Sequence, residues 1–104
     1  MDDSFQQRER QFEAMFVHDE ELKFKIVARR SRLFAAWIAD RIGAGAPPDY
    51  ADGFIAYAFG RSPETLIEHA QHDLQNHGVA LADVTLRKAF EQLGDQARAE
   101  VMNK

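Results

Sequence analysis

The sequence predicts an all-α protein: a small four-helix bundle with a mobile or partner-dependent N-terminal helical extension. Three observations carry this. From Phe5 to Ile42 there is neither Gly nor Pro, so nothing forces a break in a long helix. Three later segments repeat apolar residues at steps of three and four between clear stop signals. No segment alternates convincingly with period two, and no Asn-Gly or Asp-Gly pair joins two β-rich runs.

The first helix starts plausibly at Ser4, an N-cap with Gln7 three residues on, and Asp2 and Asp3 suit the positive end of its dipole. Its two halves differ. At 100° per residue, Phe5, Phe12 and Phe16 fall within about 40° of one another, a stripe too narrow to bury a core. From Leu22 onward the apolar arc widens to about 200°, taking in Leu22, Ile26, Val27, Leu33, Phe34, Trp37, Ile38 and Ile42, as a core helix requires. Val17 to Glu21 interrupts the aromatic stripe with acids and His18, and reads as a hinge. The domain division expected is residues 1–20 as a conditional segment and 21–104 as the bundle.

Two glycines and two prolines in Gly43–Pro48 stop the first helix. Asp49 is the expected cap of a short second helix carrying Tyr50, Phe54 and Tyr57 on one side, with Ile55 and Phe59 beside them, and Gly60 ends it. Ser62-Pro63-Glu64 starts the third, with Ser as cap, Pro at the first position and an acid in the first turn. Its apolar face is Leu66, Ile67, Ala70 and Leu74, and Asn76-His77-Gly78 closes it. Asp83 is the expected cap of the last helix, whose stripe is Leu86, Phe90, Leu93, Ala97 and Val101. Gly94 interrupts that helix at a cost of about 1 kcal/mol relative to Ala.

At 104 residues the chain makes one domain with one core. Hydrophobic content of 45% and charged content of 29% are ordinary for a globular protein. No apolar run approaches a membrane span, so direct membrane insertion is not expected. With no secretory signal in the acidic start and no cysteine, a cytoplasmic location is the expectation. The net charge of −4 hides a segregation: residues 1–21 carry net −5, residues 22–42 net +5 and residues 43–104 net −4. The basic block thus lies between two acidic regions of its own chain, unlike the overall basic excess of a nucleic-acid binder.

Catalytic motifs are missing, and no enzyme activity is expected. Gly43-Ala44-Gly45 lacks the later glycine and lysine of a phosphate loop and follows a helix instead of a strand. His69, Asp73 and His77, at i, i+4 and i+8 with His72 adjacent, bring metal-ligand types near one helical face. The plainer reading is a solvated polar face, so neither metal nor cofactor is assigned. A pH-sensing role for these histidines is the other reading of that face.

Arg29-Arg30-Ser31-Arg32 is the sharpest charged cluster, a secondary contact or a structural feature. Arg30 falls inside the apolar arc, between Trp37 and Phe34. Its stem packs while its head snorkels to water, or it pairs with an acid of another helix or of a partner. The Phe5, Phe12, Phe16 stripe, with Arg8, Glu9, Arg10 and Glu13 around it, has the few-anchor face of helix-in-groove recognition. The other reading folds that stripe back onto the bundle.

Phe5-x2-Arg8-Glu9-Arg10-x2-Glu13-Ala14-x-Phe16-x-His18-Asp19-x-Glu21-Leu22-x-Phe24-Lys25, followed by Ala28-Arg29-Arg30-Ser31-Arg32-Leu33 and Trp37, resembles the zeta-subunit family of alphaproteobacterial F-type ATP synthase inhibitors. The similarity runs on more thinly through Tyr50-Ala51, His72-Asp73-Leu74 and the last helix. It implies a four-helix bundle, monomeric when free, whose N-terminal segment is mobile alone and becomes helical on entering a catalytic α/β interface near γ of F1-ATPase. There it blocks rotation in the hydrolytic direction. The partners implied are the α, β and γ subunits, and the location is peripheral to the inner membrane when bound. Carried over by position, the inhibitory segment is Phe5, Arg8, Glu9, Arg10, Phe12, Glu13 and Phe16. The chain departs from the family pattern in having Ser31 and Phe34-Ala35 where Asn and Leu-Gly are usual. It also has Ala58-Phe59-Gly60-Arg61-Ser62-Pro63 in place of an acidic loop. Two other functions fit the residues: a helical adaptor for another partner, and nucleic-acid binding through Arg29, Arg30 and Arg32.

Overall fold

A computed structural model describes residues 2–103 of the chain, with side chains from residue 19 to residue 103. Four helices follow in order: α1 (Asp2–Ile42), α2 (Tyr50–Ala58), α3 (Pro63–Asn76) and α4 (Asp83–Met102), with a 3-10 turn at Gly43–Gly45. Among the described residues there is no strand. The first helix begins at Asp2, so Ser4, the cap expected from sequence, lies inside it. It runs unbroken through residues 17–21, where a hinge was expected.

α1 is the hub of the bundle. It packs most extensively on α4, next on α2 and least on α3, while α3 leans on α4. At about 1.5 Å per residue, 41 residues make a rod of roughly 60 Å. The molecule is accordingly elongated, 68 × 27 × 24 Å.

The core is centred on Phe34, which is fully buried. Its ring meets Phe54 of α2 edge-on at 5.8 Å and Phe90 of α4 edge-on at 5.0 Å, and stacks at 6.1 Å on Trp37. Edge-to-face contacts of this kind add about 0.5–1.5 kcal/mol beyond the area they bury. Ala35 and Ile38 complete the buried part of α1, and Leu66, Ile67, Ala70 and Leu74 bring in α3. Leu86 and Phe90 close the cluster from α4.

The buried face of α1 is narrower than the sequence implied. Val27, expected in the core, is 45% exposed, whereas Ser31 is buried at 4% exposure. The reason is the length of α2, which ends at Ala58 and leaves Val27 beside the open turn at Phe59 and Gly60. Phe59, expected beside the α2 face, is the residue after the helix and is 78% exposed.

The helix ends follow simple chemistry. Ser62 caps α3 by accepting a hydrogen bond from the Thr65 N–H at 3.3 Å, with Pro63 at the first position. At the other end, the Gly78 N–H donates to the Gln75 carbonyl and the Val79 N–H to the Leu74 carbonyl. This two-bond closure needs a left-handed residue, which Gly78 supplies at φ +78°. Asp49 occupies the cap position of α2 without a side-chain bond. Asp83, expected as the cap of α4, is instead its first helical residue, the cap being Ala82. Its carboxylate accepts a bond from Arg87 Nε at 2.6 Å, and Arg87 also forks onto Glu64 at 2.6 and 2.7 Å. One guanidinium thus ties the starts of α3 and α4 and holds the Glu64 carboxyl below its usual pKa.

Tyr50 on α2 donates its phenol proton to Asp73 on α3 at 2.7 Å. Burial first, then the bond to Asp73, raises the Tyr50 pKa above its ordinary value of 10.0.

Two outcomes are expected. Phe34→Ala costs about 3–5 kcal/mol in urea unfolding, because three aromatic neighbours lose their common partner. Tyr50→Phe costs about 1 kcal/mol at neutral pH. The wild type loses the Tyr50 contribution as pH rises beyond 10, where the unfolded phenol ionises and the folded one does not. The gap between Tyr50→Phe and wild type therefore narrows in melts above pH 10.

Candidate functional site

Among the described residues, the open grooves beside α1 are the candidates for function. Phe5, Arg8, Glu9, Arg10, Phe12, Glu13 and Phe16, the inhibitory segment expected from sequence, lie outside the residues whose side chains are described. Their backbone forms the first half of α1.

The three arginines of the basic cluster are not brought together. Arg29 points to α4, where its Nε donates to Glu100 at 2.5 Å. Arg30 turns to another part of α4, its guanidinium 4.4 Å over the Phe90 ring. Arg32 is exposed and, like Lys25, has no hydrogen bond or ion pair among the described residues. A base-reading surface needs these groups on one exposed face, and they do not share one.

Arg30 is half-buried, and its Nε has no hydrogen-bond partner. Desolvation lowers its pKa from the usual arginine value. The sequence left open whether this residue snorkels or pairs with an acid. It packs its stem on α4 and sets its charge against an aromatic face, a contact of about 0.5–2 kcal/mol. Gly94 makes this possible, since a Cβ there would lie 3.3 Å from Arg30 Cδ. The glycine that reads as a weak point in α4 is the recess that receives the arginine stem.

Two grooves flank Phe24. The larger, about 640 Å³, runs between α1 and the end of α4. Its floor is Leu22, Phe24, Ala28, Val101 and Met102. Its rim carries Lys25, Arg29 and Arg32. The smaller, about 330 Å³, lies between Phe24 and Val27 on α1 and Ile55 to Arg61 at the end of α2. Phe24 is 62% and Met102 58% exposed. Neither was singled out as a site by sequence. The signal was available, since Phe24 is followed by Lys25 and, about one turn on, by Ala28 and Arg29, on a surface that the bundle leaves open.

The histidines divide their bonds. His69 Nε2 is 3.2 Å from Asp73 Oδ2, His77 Nδ1 is 2.8 Å from the Asp73 carbonyl, and His72 meets Asn76. His69 also stacks on Tyr57 at 3.9 Å. Among the described residues, no group of three or more His, Cys, Asp or Glu could hold a metal ion. Nor is any described helix long and apolar enough to cross a membrane.

A family described as ATPase inhibitor subunit zeta matches residues 1–100, which includes the whole of α1 and nearly all of α4. The chain belongs to the ATPase inhibitor subunit zeta family. No curated protein and no solved structure matches it. Members of this family are inhibitor subunits rather than catalysts, and the partner is an ATPase.

The Arg30–Gly94 pair is testable by a double-mutant cycle. Gly94→Ala stabilises the Arg30→Ala background by about 1 kcal/mol, the helix-propensity gain. In the wild type the same change gains measurably less, because the new methyl pushes against the arginine stem.

Proposed function

We propose that the chain inhibits ATP hydrolysis by F1-ATPase, by inserting the first half of α1 at a catalytic α/β interface near γ and blocking rotation. The observation that carries the reading is the family match, which takes in the N-terminal segment as well as the bundle. The fold supports it in a specific way. The core begins on α1 at Ser31 and Phe34, with Leu22 and Ile26 half-buried, and Asp19 to Glu21 are exposed. The helices that build the bundle therefore engage the second half of α1.

The division of labour follows. Residues 1–20 are the inhibitory segment and residues 21–104 the bundle that carries it. Phe5, Phe12 and Phe16 are the apolar anchors, and Arg8, Glu9, Arg10 and Glu13 set register against charged groups of the enzyme. A helix with few anchors gains affinity only in a well-matched groove, which suits a site formed in one rotary state. The α, β and γ subunits are the partners, and binding places the chain at the ATP synthase, peripheral to the membrane. The nucleic-acid reading loses its main support once Arg29 and Arg30 are engaged on α4.

Deleting residues 1–16 is expected to leave the far-ultraviolet circular dichroism of the bundle and its cooperative melt in place, while removing inhibition of F1 hydrolysis. Phe12→Ala with Phe16→Ala in the full-length chain is expected to raise the half-inhibitory concentration at least tenfold, a loss of roughly 1.4 kcal/mol or more. Equal inhibition by the truncated and full-length chains would show that the wedge lies elsewhere.

A further inference from the structure

We propose that the groove between α1 and the end of α4 is a second docking surface for the ATPase, and that it takes an acidic helical segment with an apolar face. This rests on the inhibitor reading above and adds to it a contact made by the bundle itself.

The chemistry of the groove names its occupant. Its floor is apolar, with Phe24 and Met102 both more than half exposed. Lone surface apolar residues need no explanation, but two large ones sharing a groove with Leu22, Ala28 and Val101 mark an interaction site. Around that floor stand three cations on a protein whose net charge is −4. Arg29 is fixed by Glu100, which holds the rim against α4. Lys25 and Arg32 are uncommitted among the described residues, so their charges face outward. An apolar ridge flanked by carboxylates satisfies floor and rim together. Nucleic acid would meet the rim and leave the floor uncovered. A lipid surface would favour a protruding apolar edge over a concave one.

Position identifies the ATPase as the source of that segment. The groove begins at Leu22, directly after the proposed inhibitory segment, on the same unbroken helix. Phe16 and Phe24 are eight residues apart, about 12 Å along the axis. An enzyme that grips the first half of α1 therefore has the groove at the mouth of its own site. The two contacts act in series on one rod, and the second lowers the cost of holding the first.

The test uses full-length chains: wild type, Phe24→Ala, and Lys25→Glu with Arg32→Glu, each titrated against F1 hydrolysis at about 50 and about 300 mM salt. All three positions are exposed, so circular dichroism and melting temperature stay at wild-type values. Both variants are expected to raise the half-inhibitory concentration about tenfold while still reaching full inhibition at saturation. The difference for the charge variant shrinks at high salt. In addition, the Phe12→Ala, Phe16→Ala chain keeps weak, salt-sensitive binding to F1 in sedimentation, and Phe24→Ala removes it. Wild-type inhibition curves for both groove variants would overturn the proposal. So would stronger inhibition, which would mean that the groove covers the chain's own acidic N-terminal segment. Unchanged inhibition with loss of sedimentation on vesicles rich in anionic lipid would assign the groove to a membrane and also overturn it. If the wild type itself fails to inhibit F1, the inhibitor reading falls independently of the groove.

Discussion

The meeting of Phe34 with Phe54 and Phe90 is the interaction on which the bundle depends. One ring on α1 makes edge contacts with rings on two other helices, and a fourth ring stacks beside it. Because α1 is the common partner of α2, α3 and α4, the position of this ring sets where each of them sits. The polar ties lie further out. Arg87 clamps the starts of α3 and α4, and Tyr50 joins α2 to Asp73. An exposed ion pair contributes little energy individually and a single hydrogen bond about 1 kcal/mol, so these ties fix angle and register around a core that aromatic packing holds.

Much of this was legible in the sequence, for identifiable reasons. The Ser-Pro-Glu start and Asn-His-Gly end of α3 are local signals that tertiary packing had no cause to override, and Leu66, Ile67, Ala70 and Leu74 all lie in the core. Errors fell where a second helix had to be known. Val27 belongs to the apolar arc by angle, yet α2 is too short to cover it. Asp83 has the chemistry of a cap, but Arg87 one turn on captures its carboxylate. Gly94 reads as a defect until Arg30, 64 positions away, is placed against it.

The candidate site was legible in a different way. The proposed inhibitory segment rests on resemblance together with the narrow aromatic stripe. The α1–α4 groove was not visible, because it requires the last turn of the chain to lie beside Leu22 and Ala28. A basic cluster in sequence proved to be divided, with Arg30 over Phe90 and the other two arginines on the α1–α4 groove. Only Arg29 and Arg32 share a surface, and only Arg32 remains uncommitted there.

That α1 packs mainly against α4 has a consequence for synthesis. The two helices are separated in sequence by α2 and α3, so the principal interface cannot form until all three later helices have been made. At roughly 5–20 residues per second, the stretch from Gly43 to Met102 takes on the order of 3–12 s to be made. Until α4 is made Phe34 and Ile38 lack their final cover, while the acidic N-terminal half of α1 is already present. Like charge on residues 1–21 of neighbouring nascent chains opposes their association while that apolar face is open.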